Sequence, residues 1–286
     1  MNWKASSGVA VARQRAAMLE RARAFFRSRN VLSVDTPALS RCTTSDPNID
    51  SLRVAGPGEA ALYLQTSPES FMKRLLADGY PDIYAICRVF REGESGRMHQ
   101  PEFTMVEWYR HGFGMGEMID ETTAFIADVL EQPELAEAGQ LEYETAFRRF
   151  AGIDPFTASL DELADAASAD ADLRISLGND RDAWLDLLLS ARVAPNFAAE
   201  QLTVLRHFPM SQAALARACP ADESVADRFE VFFGAMELAN GFVELRDPHQ
   251  QRQRMTADLA VRRATERHPV PLDEPMLAAL ESGLPE

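Results

Sequence analysis

Residues 90–109 carry the side chains with the most evident chemical potential. On a β-hairpin, alternate side chains share a face, so Glu107 and Tyr109 lie on the same face of the second strand as Phe103 and Met105. Arg91 ends the first strand, where its guanidinium can meet that face. A guanidinium can bind a phosphate and an aromatic ring can stack on a base, so the two together suit a nucleotide. An exposed charged hairpin, whose aromatic rings only fill the core, is the open alternative.

Residues 230–245 form a second segment with unusual carboxylates. Glu230 and Glu237 flank a glycine-containing turn, and Glu244 follows Asn240 in an apolar context. Carboxylates among core-forming residues are costly unless they meet a cation. Mg²⁺ bridged to phosphates needs one or two of them, and a substrate ammonium group needs another. The alternative is a half-exposed strand on which each glutamate faces water.

Composition limits the classes of protein that can present these groups. The 286 residues are 46% hydrophobic and 26% charged, which suits a globular protein with a sizeable core. No apolar run approaches the length of a membrane span, and arginines interrupt the N-terminus where a signal peptide needs its apolar stretch. Three scattered cysteines are too few for a disulfide scaffold or a Cys-type zinc site. We expect a reduced, cytoplasmic protein.

The net charge of −15, from 29 basic and 44 acidic residues, disfavours extended binding of tRNA or DNA. A local basic run is interpreted as the solvated side of a helix; it comprises Arg246, Arg252, Arg254, Arg262, Arg263 and Arg267. Nucleotide chemistry at a small internal site is unaffected, because nearby arginines set the potential there. His207, His249 and His268 are interpreted as solvent or packing residues, since nothing near them in the sequence completes a metal site.

Apolar periodicity and turn residues predict the elements that must position these groups. Helices are predicted over residues 11–29, 67–78, 115–130 and 248–267, with Ser67 as the N-cap of the second. Strands are predicted over residues 31–37, 61–66, 83–91, 102–109 and 203–208, and strand-like runs broken by glycines over 229–245. Residues 41–60 indicate a loop, and residues 131–200 indicate helical pieces joined by loops. Because the strands come as hairpins, the pattern favours an α+β fold, an antiparallel sheet flanked by helices.

Together the two segments resemble the catalytic core of class II aminoacyl-tRNA synthetases, the lysyl type in particular. The resemblance is closer still to the elongation factor P–lysine ligase family, a stand-alone paralogue of that core. Residues 91–109 look like its motif 2, residues 237–245 like its metal- and lysine-binding strand, and residues 66–76 like its substrate-gripping helix start. The helix that ends in residues 31–37 looks like the dimer-forming motif 1. The resemblance implies a single catalytic domain over residues 1–286.

The family likeness implies a role for each matching residue. Arg91 would hold the α-phosphate of ATP and the substrate carboxylate, and is the expected catalytic residue. The other expected ATP contacts are Glu92, Gly93, His99, Gln100, Phe103, Glu237 and Leu238. Glu230 and Glu237 would hold Mg²⁺. The expected pocket for a lysine-like molecule comprises Ser67, Pro68, Glu69, Glu107, Tyr109, Asn240, Phe242 and Glu244.

The implied reaction is ATP-dependent adenylation of (R)-β-lysine or lysine, followed by transfer to a lysine ε-amine of elongation factor P. The lysyl-type synthetases carry an anticodon-binding β-barrel ahead of the core, whereas the match to motif 1 begins here within the first dozen residues. With the acidic charge, this argues against tRNA as the acceptor. The resemblance also implies a homodimer formed through residues 9–37. Two alternatives stay open: an amino-acid activator for tRNA or a carrier protein, and a catalytically inactive binding module.

Some positions depart from the family pattern. Gln100 stands where asparagine is usual, and Glu92-Gly93-Glu94 varies a stretch that is often Asn-Glu-Glu. The family also continues, beyond the position that matches Pro285, into motif 3, a strand and helix with an arginine for the γ-phosphate. Residues 1–286 do not include that motif, so we expect weak or absent adenylation by them, measured as lysine-dependent ATP–pyrophosphate exchange.

Overall fold

The computed structural model describes residues 3–56 and 61–285. Its internal contacts divide the chain into two compact units. The first, here called the sheet unit, combines the residues up to Phe25 with residues 114–244. The second, here called the hairpin unit, combines residues 26–113 with residues 245–286. No helix within the described ranges is both long enough and apolar enough to cross a bilayer.

Helices and strands alternate along the chain in no simple repeat. The helices are α1 (Val9–Ser28), α2 (Glu69–Ala77), α3 (Met115–Leu130), α4 (Tyr143–Phe150), α5 (Leu160–Ala166), α6 (Ala171–Leu177), α7 (Arg181–Leu188), α8 (Pro248–Ala264) and α9 (Glu274–Ser282). The strands are β1 (Leu32–Ser33), β2 (Leu39–Ser40), β3 (Arg53–Ala55), β4 (Ala61–Leu64), β5 (Ile83–Phe90), β6 (Glu102–Tyr109), β7 (Gly139–Glu142), β8 (Leu202–Arg206), β9 (Ala218–Cys219), β10 (Asp222–Ala226), β11 (Arg228–Phe233) and β12 (Met236–Phe242).

The hairpin unit is built around the antiparallel pair β5–β6. All eight residues of β5 are paired, from Ile83 opposite Tyr109 to Phe90 opposite Glu102. Strand β1 adds to β5 in parallel, and β2, β4 and β3 form a separate antiparallel sheet. Side chains of α2 and β5, with Met72 and Ile83 fully buried, form one apolar cluster of this unit. The hairpin is therefore a rigid platform for the side chains that project from β6.

The sheet unit contains a four-stranded sheet in the order β12-β11-β8-β7. Strand β8 is parallel to β7 and antiparallel to β11, which is in turn antiparallel to β12. Alternation along β11 separates two cores, because Phe232 packs with residues of α4 and α7 while Phe229 and Val231 pack with residues of α3. Both faces of β11 are thus covered, which makes a polar side chain on this strand unusual.

The predicted α+β class is confirmed by the mixed helices and largely antiparallel sheets. Helix α3 begins and ends where the periodicity predicts, and the strands of the β5–β6 hairpin agree to within one residue. The prediction of a strand over 31–37 is wrong in length, since only Leu32–Ser33 pair. The predicted loop 41–60 contains β3, which pairs with β4, and residues 57–60 of that loop lie outside the described residues.

Two further differences concern the ends of elements and the glycines. Pro68, not Ser67, occupies the N-cap of α2, which begins at Glu69; the Ser67 hydroxyl still accepts a hydrogen bond from the Glu69 N–H at 3.0 Å. Strand β12 runs unbroken through Gly241 instead of stopping there. Strands β9 and β10 and helix α9 were not predicted, because they are short and lack clear apolar periodicity.

Candidate active site

Glu107 of β6 is the centre of a polar cluster in the hairpin unit. Its Oε2 accepts a hydrogen bond from the Ser67 hydroxyl at 2.7 Å, and its Oε1 accepts one from the Tyr109 hydroxyl at 3.0 Å. Glu107 and Tyr109 share a face of β6, as the alternation predicts, while Ser67 precedes α2. Three residues expected to bind the lysine-like substrate therefore contact one another.

Glu69, at the start of α2, carries the second carboxylate of this cluster. The ammonium group of Lys73, one turn later on the helix, donates to Glu69 Oε1 at 2.6 Å. Lys73 is fully buried, whereas the Glu69 side chain is 20% exposed. A buried ammonium group requires such a partner, so Lys73 fixes Glu69 in place. The sequence analysis did not assign Lys73 to the site, although its i, i+4 spacing from Glu69 is a detectable signal.

The pKa of Glu107 is raised from its usual value of 4.5 to about 8. Burial is the main cause, because it disfavours the charged carboxylate, and repulsion from Glu69 adds to it. The hydrogen bonds from Ser67 and Tyr109 and the charge of Lys73 act in the opposite direction. In the hairpin unit alone, negative charge on Glu107 is thus poorly compensated. A cationic ligand that binds beside Glu107 would stabilise its charged form.

Arg91, immediately after β5, faces the ring of Phe103 on β6. Its guanidinium carbon lies 5.2 Å from the ring centroid, a cation–π distance. Its Nε also donates to the carbonyl oxygen of Thr66 at 3.5 Å, and its Nη1 lies 3.6 Å from Glu94 Oε1. The predicted meeting of Arg91 with this face of the hairpin is therefore found. The pair offers a cation and an aromatic face side by side.

The connection between β5 and β6 is anchored at its first residue. The Glu92 N–H donates to the carbonyl oxygen of Asp50 at 2.7 Å, and the Asp50 carboxylate in turn binds Arg262 and Arg267. Gly93 follows with φ = 82°, in the left-handed region that favours glycine. The next predicted ATP contacts, His99 and Gln100, are exposed on this connection. Their side chains are accessible to a ligand.

In the sheet unit, Arg228 organises the polar residues of β11 and β12. Its Nη2 donates to Glu230 Oε1 at 2.5 Å, and its Nε donates to Asn240 Oδ1 at 2.9 Å. Glu230 and Asn240 are directly opposite in the β11–β12 ladder. The sequence analysis missed Arg228, although its i, i+2 spacing from Glu230 on a strand places both on one face.

A β-bulge at Leu238 decides which side chains of β12 face Glu230. Asn240 pairs with Glu230 and Ala239 with Val231, but the next residue of β11, Phe232, pairs with Glu237. Leu238 is the extra residue. With strict alternation, Glu237 and Asn240 would point to opposite faces; the bulge brings them to the same face. The predicted set of Glu230, Glu237 and Asn240 shares a surface for this reason.

Glu230 is only 6% exposed, whereas Glu237 is exposed. The pKa of Glu230 is raised from 4.5 to about 8, chiefly by burial and next by repulsion from Glu237, while Arg228 lowers it. The interpretation of every glutamate here as a water-facing residue therefore fails for Glu230. A hard divalent cation is the natural partner for a pair of neighbouring carboxylates, and the donor set fits Mg²⁺.

The remaining predicted residues of this segment differ in exposure. Leu238 is 41% exposed, and Phe242 and Glu244 are partly buried. Gly241 lies against the ring of Phe229, and a Cβ at position 241 would come within 2.5 Å of the ring carbon Cζ. This close approach explains why glycine occurs inside the strand.

The structure thus gathers the predicted residues into two groups, one in each unit. The hairpin unit holds Ser67, Glu69, Glu107 and Tyr109 in one cluster and Arg91 with Phe103 in a second contact. The sheet unit holds Glu230, Glu237 and Asn240 on one face of β11–β12. The assignment of both groups to one reaction stays a prediction.

Comparison with known proteins identifies the family. The family model described as tRNA synthetases class II (D, K and N) matches residues 2–286. The chain belongs to this family. Among curated relatives of this class II synthetase, a protein of Sodalis glossinidius named elongation factor P–(R)-β-lysine ligase is 43% identical over 291 residues, covering 100% of this chain and 89% of the relative. Relatives of the same name from Erwinia tasmaniensis and Edwardsiella ictaluri are each 44% identical, with the same coverage. The predicted resemblance is confirmed.

Substitution of Gly241 by alanine tests the packing of the four-stranded sheet. We expect Gly241→Ala to lower the free energy of unfolding by about 1–3 kcal/mol, because the new methyl group overpacks against the buried Phe229 ring. Urea denaturation measures the change. Gly139→Ala, in β7 of the same sheet, is the matched control, since a Cβ there meets nothing within 4 Å. Equal stabilities of the two variants would contradict the close approach.

The pH dependence of stability tests the electrostatics of Glu107 in the hairpin unit. A carboxyl group whose pKa is raised on folding binds more protons in the folded state, so stability falls as pH rises from about 4.5 through about 8. The slope from this group is at most about 1.4 kcal/mol per pH unit. We expect Glu107→Gln to remove this contribution and to gain stability relative to the wild type as pH rises.

Urea denaturation at a series of pH values provides the measurement. Glu102→Gln is the control, because Glu102 lies on the same strand but is exposed at its outer end. A stability difference between Glu107→Gln and the wild type that does not change from pH 5 to pH 8 would show that Glu107 ionises normally.

Proposed function

We propose that this protein is an ATP-dependent ligase that activates (R)-β-lysine or lysine as its adenylate and transfers it to a lysine ε-amine of elongation factor P. The observation that carries the proposal is the partly buried carboxyl group of Glu107 beside Glu69, whose raised pKa shows that its charged form needs a cationic ligand. The names of relatives about 43% identical over the whole chain support the same reaction. A diamine acid has two ammonium groups, which carboxylates recognise.

In the first step, a carboxylate oxygen of the lysine-like substrate attacks the α-phosphorus of ATP. A new oxygen–phosphorus bond forms, the bond from the α-phosphorus to the bridging oxygen breaks, and pyrophosphate leaves. We assign to Arg91 the binding of the substrate carboxylate and the α-phosphate, since a guanidinium forks between such oxygens. Phe103, already stacked with Arg91 at 5.2 Å, is assigned to the adenine ring.

In the second step, the neutral ε-amine of the acceptor lysine attacks the acyl carbon of the adenylate. An amide bond forms, the acyl–phosphate bond breaks, AMP leaves, and the amine loses a proton. Neither step needs a covalent bond to the protein. Positioning and charge stabilisation by the side chains supply the catalysis.

Glu69, Glu107 and Tyr109 of the hairpin unit are proposed to bind the lysine-like substrate, with Ser67 and Pro68 shaping the start of α2. A role in substrate binding is also proposed for Asn240, Phe242 and Glu244, as the family resemblance implies. Glu92, Gly93, His99, Gln100 and Leu238 are proposed to contact the nucleotide. Tyr109 and Ser67 already satisfy one oxygen each of Glu107, which orients that carboxylate.

Glu230 and Glu237 are proposed to hold Mg²⁺. Two neighbouring carboxylates, one of them buried, form a donor set of the kind that this cation prefers. When bound, Mg²⁺ would neutralise phosphate charge as it develops in the reaction. Arg228 keeps Glu230 fixed by its hydrogen bond, and it also holds the Asn240 amide.

We further propose that the protein is cytoplasmic and forms a homodimer through residues 9–37. Three apolar side chains in this range support a subunit contact, because each is more than 40% exposed: Val9, Val11 and Leu32. Sedimentation equilibrium is expected to give twice the chain mass, and replacement of Val9 and Val11 by serine is expected to weaken the association. A monomer at micromolar concentration would contradict the proposal.

Binding of an adenylate analogue tests the substrate without requiring turnover. We expect a non-hydrolysable (R)-β-lysyl adenylate analogue to bind at least about 10²-fold more tightly than a matched analogue with an uncharged side chain. Arg91→Ala is expected to weaken binding by about 10²–10³-fold. Arg88→Ala is the control, since Arg88 lies on β5, three residues before Arg91, with a side chain 56% exposed.

Mass spectrometry of elongation factor P after incubation with the protein, ATP, Mg²⁺ and (R)-β-lysine reports transfer. Addition of a lysyl mass to the factor is expected, slowly if adenylation is weak. If the adenylate analogue binds tightly but the mass of elongation factor P does not change, the protein binds the substrate without catalysing its transfer. Equal binding of the charged and uncharged analogues, or charging of tRNA in place of the protein, would contradict the proposed substrate or acceptor.

A further inference from the structure

The sheet unit contains a group of metal-ligand side chains that the proposed reaction does not use. His207, Cys219 and Asp227 each offer a ligand atom, and these atoms lie within 4.8 Å of one another. Cys219 and Asp227 are buried, and His207 is partly buried. The structure therefore places candidate ligand atoms beside His207 that are distant from it in the sequence. The sequence spacing gives no signal, because the three residues come from separate segments.

Backbone pairing builds this group into the fold. His207 follows β8, and its N–H donates to the carbonyl oxygen of Arg228 at 2.9 Å. Arg228 is the residue after Asp227. The Asp227 N–H donates in turn to the carbonyl oxygen of Arg217 at 3.0 Å, and Arg217 lies two residues before Cys219. Cys219 itself is paired with Asp222 between β9 and β10. The three side chains are thus brought together before any ligand arrives.

The imidazole of His207 is oriented as in many metal sites. Its Nδ1 lies 2.6 Å from Glu142 Oε2, so the Nδ1–H donates to that carboxylate and Nε2 carries the free lone pair in the neutral ring. Nε2 lies 4.0 Å from Asp227 Oδ1. A carboxylate that holds the second nitrogen of a histidine is the usual outer partner of a histidine ligand.

The other two side chains each leave a donor atom available. Both the Nε and the Nη2 of Arg217 donate to Asp227 Oδ2 at 2.8 Å, which leaves Oδ1 turned to His207. Cys219 is a free thiol. No hydrogen bond to its sulfur occurs within the residues that the structure describes. The positive charge of Arg217 repels a bound cation, but its guanidinium also fixes the Asp227 carboxylate. The Cys219 thiolate and the Asp227 carboxylate supply two negative charges that attract the cation.

We propose that His207, Cys219 and Asp227 bind a zinc ion, with Glu142 orienting the imidazole. Nitrogen, sulfur and oxygen donors together select a borderline-soft cation over Mg²⁺ or Ca²⁺. Zinc–ligand distances of about 2.0–2.3 Å place neighbouring donor atoms roughly 3.3–3.7 Å apart, so the group must contract by less than about 1.5 Å. The three protein ligands leave a fourth position for water or an added ligand.

The proposed ion would also stabilise part of the candidate active site. It would join the end of β8 to the start of β11, one residue before Arg228, which holds Glu230 and Asn240. Zinc binding is therefore expected to raise the thermal unfolding temperature of the protein, since the ion binds the folded state preferentially.

Cobalt substitution tests the proposal on the whole wild-type chain. The protein, freed of metal by a chelator and kept reduced, is titrated with Co²⁺ and followed by absorption. We expect a single Co²⁺ ion per chain to give visible d–d bands and a near-ultraviolet thiolate-to-cobalt charge-transfer band, and equimolar Zn²⁺ to remove both. Absence of the charge-transfer band at a tenfold excess of Co²⁺ would overturn the proposal without any variant.

Variants then locate the site. Cys219→Ser is expected to abolish the charge-transfer band, and His207→Gln and Asp227→Asn to weaken Co²⁺ binding at least tenfold. Cys42→Ser and His268→Gln are matched controls from the hairpin unit and should bind as the wild type does. Circular dichroism melting checks that each variant is folded. A band that persists in Cys219→Ser, or that disappears in Cys42→Ser, would assign the thiolate elsewhere and refute this site.

Discussion

Carboxyl groups whose charged form the protein compensates poorly are the constraint on which this structure depends. Glu107 in the hairpin unit and Glu230 in the sheet unit both have a pKa raised to about 8, each by burial and by a neighbouring glutamate. A folded protein tolerates such groups at a cost in stability. The cost has a functional use if the missing positive charge belongs to a substrate. Ammonium groups and a divalent cation are the partners that this chemistry selects.

Each carboxylate is held in place by a different device. Ser67 donates a hydrogen bond to one carboxylate oxygen of Glu107 and Tyr109 donates one to the other. Lys73 fixes the neighbouring Glu69 by an ion pair. Arg228 plays the corresponding part for Glu230 and also holds Asn240. In both units the positioning residue is a cation or a hydroxyl from the protein itself. The carboxylates are therefore oriented before a ligand binds, which lowers the entropic cost of binding.

The sequence predicts the parts of this arrangement that follow a simple period. The bounds of α3 and of the β5–β6 hairpin follow from apolar periodicity, and the shared face of Glu107 and Tyr109 follows from alternation. The β-bulge at Leu238 has no such signal, yet it alone brings Glu237 to the face of Asn240. The glycine at position 241 predicts a break in the strand, whereas the structure continues the strand there and the ring of Phe229 occupies the space that a Cβ would fill. Long-range contacts of this kind are tertiary effects, and local sequence does not encode them visibly.

Proton release on substrate binding tests the central claim most directly. At pH 7 a carboxyl group with a pKa near 8 is mostly protonated, and a bound ammonium group would drive off its proton. Titration calorimetry of (R)-β-lysine into the protein, repeated in buffers with different ionisation enthalpies, measures the number of protons released. The apparent binding enthalpy should vary with the buffer in the wild type, and this variation should largely disappear in Glu107→Gln. An apparent enthalpy that is the same in every buffer would contradict the account.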